Sequence, residues 1–412
     1  MLFRLFLSAV RNINHKQIAA DGRGRGSMRL FHISDLHIGL KLFNRDLSED
    51  QAYILDRIAG EAAKAQPDAI LIAGDIYDRA VPSAEAVELF DAFTTKLREA
   101  APEAEIMMIS GNHDSAPRVN VFRHVLKAQH IRMIGLPPEK TEDHIEKVTL
   151  TDEYGPVHFY LLPFVKPSMV KAILGTDENG LNLSYDETLR QLLGRETIDT
   201  RERNVLVSHQ FYLPVGKNAE SVERMSSEIR TVGNIDEVRA DVLEPFDYAA
   251  LGHIHKPMKV GSEFYRYCGT PIPCSVDEAG QQKGIIQVDM GAKGDIRTKV
   301  LPLTPLRNVI VVRGTLEEVL EQSCGDYTTV ILTDKADLHV TDMQDRLRAA
   351  FPYLLEIRRE NVAKASYSTA IKPESVPNPI DLCLAFLKDA GIDEKKEALL
   401  REVIDAAEEV QK

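Results

Sequence analysis

Cysteine is scarce. The 412 residues hold four, Cys268, Cys274, Cys324 and Cys383, and none makes a CxxC pair. That excludes a zinc ribbon or a disulfide framework and suits a reducing cytoplasm. Long apolar runs are missing too: nothing approaches the roughly 18 consecutive apolar residues of a membrane-spanning helix, so no membrane partner is expected. No GxxxxGK[ST] pattern occurs, so any ATP dependence must come from a partner. Excess positive charge is absent. A net charge of -13 argues against a protein that coats nucleic acid through bulk charge. It leaves open a local basic groove, or phosphate binding through metal ions.

What is present is ample core material, 44% hydrophobic, in a chain long enough for about two to three domains. Residues 1–27 stand apart. MLFRLFLSAV is interrupted by Arg4, and GRGRGS reads as a flexible joint. A disordered leader is expected there, with Met28 as the natural start.

From Met28 a device recurs: a short buried strand, then a polar side chain just past its end. FHISDLHIGL ends its apolar run in Asp35 and His37. DAILIAGD ends in Asp75, EIMMISGNHD in Asn112 and His113, NVLVSHQ in His209, and DYAALGHIH in His253 and His255. Between them, Ser48 to Gln66 has helical spacing, with Ser48 as N-cap and Gln51 completing a capping box. Pro82 and Ser83 open a second helix. Val119, Val121, Phe122, Val125 and Leu126 share helical spacing as well. Alternating strands and helices make an α/β layered domain over residues 28–300. After Pro305, NVIVVRG, TLEEVLEQ, TTVILTD, Thr341 to Phe351 and LLEIRRE read as β-α-β-α-β, a small separate unit over 306–371. Pro373, Pro377 and Pro379 mark a linker. Residues 378–412 read as two amphipathic helices split at Gly391, with Asn378 as N-cap.

Each strand-end motif alone has an ordinary explanation. A lone DxH arises by chance, GNHD suits a turn, and a single histidine is commonly a satisfied core group. Together they do not. Five strand ends each carry a carboxylate, amide or imidazole, and none carries a thiol. Mixed nitrogen and oxygen donors suit manganese, iron or zinc better than calcium. Seven donors are too many for one ion with an open position, and suit two that clamp a phosphoryl group.

DLH, GDIYD, GNHD, SHQ and GHIH, in this order, resemble the calcineurin-like metallophosphoesterase superfamily. MRLFHISDLHIG, GDIYDRAVPS and GTPIPCSVDEAGQQKG are similar, within it, to nuclease subunits of bacterial DNA end-processing complexes. Thr270 and Cys274 depart from the Ser and Leu more usual there. The resemblance implies a layered α/β sandwich, a small α/β capping domain that closes over DNA, and a helical tail that docks on an SMC-like ATPase. It implies one divalent ion, by preference Mn2+, on Asp35, His37, Asp75 and His255. A second would sit on Asp75, Asn112, His209 and His253, so that Asp75 bridges. His113 would be the general acid. Three residues past Asp75 stands Asp78, where relatives in the eukaryotic and archaeal branch carry a His; a carboxylate there could still orient His113 by hydrogen bond, the plain alternative being a surface acid. Arg79, Arg118 and Lys256 flank the motifs, where they could meet DNA phosphates; for each alone, a solvated surface charge is the better explanation. The implied activity is 3′→5′ exonuclease on duplex DNA and endonuclease on single strands and hairpins, serving repair, recombination and replication. A homodimer within a heterotetramer is implied, paired through helices near Ser83 and Val119 to Leu126. The alternative is a protein phosphatase or cyclic-nucleotide phosphodiesterase, against which the extra domain and tail argue. A scaffold without activity should have lost ligands, and none is missing.

Overall fold

The computed structural model describes residues 26–217, 225–228, 236–334 and 340–360. Most of the leader, the proline-rich linker and the helical tail therefore lie outside the described residues.

Two six-stranded sheets pack face to face. The first has the order Ile296–Leu303, Lys283–Met290, Met28–Ile33, Ala69–Ala73, Glu105–Ile109, Ile131–Ile134. Its last four strands run parallel, and the other two form an antiparallel hairpin added to the edge. The second sheet runs Met258–Val260, Ser262–Tyr267, Tyr248–Gly252, Arg203–His209, Gly155–Leu162, Glu146–Asp152. Its four central strands are parallel.

Both faces of the first sheet are covered, which is why its strands are apolar throughout. Successive side chains point to opposite faces. Leu30 joins Leu71, Met107, Phe159 and Val207 between the sheets. Phe31 and Ile33 pack outward with Ile54, Ile58, Phe93 and Leu97 of the helices Ser48–Ala65 and Ala84–Ala100. The outer face of the second sheet is covered by the helix Tyr185–Gly194. The result is an α/β layered sandwich. A polar tie crosses between the sheets: fully buried His32 meets the Tyr248 hydroxyl at 2.9 Å and the Leu251 carbonyl at 3.2 Å. Burial drives its pKa down to about 3, so it stays neutral.

The region after Pro305 forms a parallel three-stranded sheet, Val309–Gly314, Tyr327–Leu332, Leu354–Arg359, with helices Leu316–Leu320 and Val340–Ala350. It has its own core around Val319, Val330, Leu347 and Phe351. Thr315 caps its first helix in a capping box with Glu318. No described helix is long and apolar enough to cross a membrane.

Two local expectations are corrected. Ser48 is not an N-cap. The cap position is Leu47, and the Ser48 amide and hydroxyl both donate to Asp46. The Asp46 carboxylate, two residues upstream, competes for the group that a capping serine would use, and Gln51 is released for other contacts. Nor is the segment around Val119 to Leu126 one helix. It breaks into Ala116–Val119 and Arg123–Lys127 at Phe122, whose φ of 63° is left-handed. Val119 is buried, while Val121, Phe122 and Val125 are exposed.

Candidate metal centre

In each sheet the central strands are parallel, so their carboxy ends lie along one edge, where ligands bind in open α/β sheets. The first sheet brings Asp35, His37, Asp75, Asn112 and His113 to that edge. The second brings His209, His253 and His255. Asp35, His37 and Asp75 take left-handed backbone, with φ of 52°, 43° and 49°. Strain of about 1–3 kcal/mol per such residue persists only where surrounding bonds enforce it. Here Asp35 N donates to Gly74 O at 3.0 Å and His37 N to Asp75 O at 3.1 Å. Glycine precedes three candidate ligands because nothing larger fits: a Cβ at Gly74 would overlap the His209 ring, one at Gly111 the Asp75 carboxylate, and one at Gly252 the Ala73 carbonyl.

All seven expected ligands converge. His37 Nε2 lies 3.1 Å from His255 Nε2 and 3.7 Å from Asp75 Oδ2. His209 Nε2 lies 3.3 Å from Asp75 Oδ2 and 3.0 Å from Asn112 Oδ1. His253 Nδ1 is 2.7 Å from the same amide oxygen. Asp75 thus sits between the two histidine groups. Asp35 is shared as well: its carboxylate groups with His37 and His255 on one side and with Asp75 and His209 on the other.

The outer ring nitrogens fix the inward ones. His209 Nδ1 donates to the Ala73 carbonyl at 2.8 Å, leaving Nε2 facing Asp75. His255 Nδ1 meets Ser227 Oγ at 2.7 Å, and that hydroxyl donates to Glu278 Oε1 at 3.0 Å. His37 has no such arrangement. Its Nδ1 is buried without a hydrogen-bond partner, and its Nε2 faces another imidazole nitrogen. Asn112 Nδ2 is also unpartnered. Buried polar atoms left this way are costly. Facing nitrogens, two carboxylates at most 1% exposed and no thiolate among the seven fit divalent cations.

Electrostatics agree. Burial pushes the Asp35 carboxyl up to about 6, against the pull of His209 and His255. Burial also opposes charge on Asp75, yet His209, His37 and His113 hold it well below the carboxylate range. His209 loses by burial and gains more from Asp75 and Asp35, reaching about 9.

The sequence pattern of the calcineurin-like phosphoesterase family matches residues 28–257, more than half of the chain. The chain belongs to that family. It is 30% identical to the SbcD component of the nuclease SbcCD of Staphylococcus epidermidis over 337 residues, 80% of this chain and 85% of that one. It is 28% identical to the protein of the same name from Staphylococcus saprophyticus over 356 residues, 85% and 88% of the two chains. Among solved structures, a dimetal phosphatase from Danio rerio covers 68% of this chain and 99% of its own at 14% identity, with a TM-score of 0.42, too loose a likeness to argue from.

His113 of this phosphoesterase stands at the rim, half-buried, its ring edge-on to His37 at 4.7 Å between centroids. Its amide donates to Asp75 Oδ1 at 2.8 Å. Its Nδ1 donates to the backbone carbonyl of Asp78 at 2.9 Å. The expected carboxylate bond is therefore replaced by a carbonyl bond. The Asp78 carboxylate points instead toward His37 Nδ1, 3.9 Å away, and toward Arg79. Arg79 and Arg118 are exposed and Lys256 is half-buried.

Several residues that support the centre carry no ligand signature. Asp114 Oδ atoms accept from Ile76 N, Tyr77 N and Gly111 N at 2.9–3.0 Å, pinning the Asp75 loop to the Asn112 loop. Burial and Asp75 push its carboxyl up to about 6 despite those donors. Glu278, fully buried, takes Thr270, Ser275, Ser227 and Lys283. Glu228 accepts the His255 amide at 2.9 Å. Only the GTPIPCSVDEAGQQKG stretch hinted at part of this, because it is the branch-specific mark.

Proposed function

We propose that the chain is the nuclease component of an SbcCD-type complex, a Mn2+-dependent DNA phosphodiesterase. The observation that carries this is the joining of all seven donors at one edge, in a chain alike over most of its length to proteins named as components of the nuclease SbcCD. In this reading it trims duplex ends 3′→5′, cuts single strands and hairpins, and works as a homodimer with two copies of the SMC-like ATPase SbcC. The three-stranded sheet is the cap over DNA, and residues 378–412 dock on SbcC.

Two divalent ions on these residues would supply Lewis acidity toward the scissile phosphate and lower the pKa of the attacking water. The chain supplies placement and a proton. Asp75 lies between the two groups of histidines. His113 keeps Nδ1–H on the Asp78 carbonyl, so Nε2 is the nitrogen free to deliver a proton. As the water oxygen, one proton released to solvent, bonds to phosphorus and the P–O bond to the leaving oxygen breaks, His113 Nε2–H gives its proton to that leaving oxygen. Imidazole suits this because its ordinary pKa is near neutrality.

The test is digestion of end-labelled duplex and hairpin DNA with manganese, with and without SbcC and ATP, beside cyclic nucleotides and phosphopeptides. Manganese-dependent DNA cleavage stimulated by SbcC and ATP is expected. Turnover of a cyclic nucleotide or phosphopeptide with inert DNA would overturn the reading.

A further inference from the structure

The first turn of the helix Ser48–Ala65 touches both the metal centre and the three-stranded sheet. Asp50 and Gln51 are neighbours on it, each 2% exposed. The Gln51 side-chain amide donates to the His37 carbonyl at 2.7 Å and, more weakly, to the Leu36 carbonyl at 3.4 Å. Its Oε1 accepts from Gly39 N at 2.9 Å. The loop carrying His37 is thus bracketed on both sides of its φ of 43°, a backbone state that a side chain with a Cβ avoids. Rotamers depend on φ and ψ, so releasing the His37 carbonyl would re-aim its imidazole.

Asp50 makes the opposite contact. Its Oδ2 accepts from the Tyr327 hydroxyl at 2.7 Å and from Arg307 Nη1 at 2.8 Å. Arg307 also donates to Glu49 at 2.6 Å and lies 4.4 Å over the Tyr353 ring. Arg307, Tyr327 and Tyr353 all belong to the small unit. One helical turn therefore holds the small unit with one residue and the His37 loop with the next.

We infer that Gln51 is a positioning residue for the metal ligand His37, and that the small unit sets its pose through Asp50. Cation affinity on the His37 side then depends on where that unit sits. The inference rests on the proposed ligand set and not on DNA being the substrate.

Manganese binding to the full chain, measured by calorimetry without DNA, tests it, with thermal unfolding in chelator as the control for folding. Gln51→Leu removes all three contacts. Gln51→Glu keeps an acceptor for Gly39 N but sets a carboxylate oxygen against the His37 carbonyl. In both, one of the two ions is expected to bind about tenfold to a hundredfold more weakly, while the chelated protein still unfolds cooperatively. Tyr327→Phe removes only a hydroxyl on Asp50 and is expected to weaken the same ion by a smaller factor. Parent affinity for both ions in the Gln51 variants overturns the positioning role. Weakened Gln51 variants beside an unchanged Tyr327→Phe overturn the link to the small unit. Should Gln51→Leu fail to fold, Gln51→Glu decides alone. No DNA enters the assay, so a failed nuclease reading is told apart from a failed inference.

Discussion

On the first sheet, Asp35, His37 and Asp75 ride on left-handed loop backbone, held by groups from elsewhere in the chain: Gln51 for one loop, Asp114 for another. On the second sheet, His209 is still part of its strand, and its ring is fixed by one bond to Ala73. His255 is likewise fixed through its outer nitrogen, by Ser227. Only His253, at φ 105°, shares the backbone strain of the first set. One half of the centre depends on clamps that hold backbone; the other has one such clamp, Glu228 on the His255 amide, and adds bonds that choose which ring nitrogen faces in. Damage to the first half should shift ligands in space; damage to the second should change their protonation.

The largest expected effect is at the carboxylate between the halves. Asp75→Ala should lose bound metal and lower cleavage roughly 10⁴-fold, the several kcal/mol that such ions supply. Two ions retained at parent affinity, by elemental analysis of the purified variant, would show that Asp75 bridges nothing. Next is His113→Gln, which removes no proposed ligand and leaves the backbone bond from residue 113 to Asp75 in place. It should keep both ions and lose about 10³-fold in DNA cleavage, within the range of general acid catalysis; an unchanged rate would reduce His113 to a turn residue.

Asp114→Asn probes the clamped half alone. An amide cannot accept all three backbone donors, so manganese should bind about tenfold to a hundredfold more weakly. The protein should still fold, since unsatisfied donors cost about 1–3 kcal/mol. Calorimetry beside melting curves checks both. The smallest effect concerns the ring-nitrogen half. His209, at about 9, is protonated at neutral pH before a cation binds, and a ligating imidazole must be neutral. Binding therefore releases a proton. Affinity should fall as pH drops below about 9, by up to roughly tenfold per unit for each proton released. Below about 6 the protonation of Asp35 adds to the loss. Calorimetry in buffers of different ionisation enthalpy counts the protons, and a count of zero at pH 7 would place His209 outside the ligand set.

The strand ends were readable because a buried strand and the ligand after it are neighbours in sequence. The five motifs needed no knowledge of tertiary contacts. Gln51 shows the opposite case. Its spacing from Ser48 suits a capping box, but Asp46 takes the Ser48 amide, and the Gln51 amide spans to His37, 14 residues away. The contact expected of the Asp78 carboxylate is made by the carbonyl of the same residue. Backbone and side chain of one residue cannot be told apart by spacing. The break at Phe122 left no mark because no glycine announces its positive φ. The hairpin Lys283–Met290 with Ile296–Leu303 has a weak sequence signal because its outer strand is half exposed and charged at Arg297 and Lys299.

The contact of His32 with Tyr248 and Leu251 works like a dowel between two plates. Each plate carries part of the proposed ligand set. A slip of one residue between them would move one part past the other by about 3.3 Å, against a tolerance in metal–ligand distances of about 0.2 Å. Hydrocarbon packing alone is non-directional and would resist such a slip only weakly. A neutral imidazole with one donor and one acceptor nitrogen fits a single alignment, so the accuracy of the metal centre is set partly at a contact that touches no metal ligand.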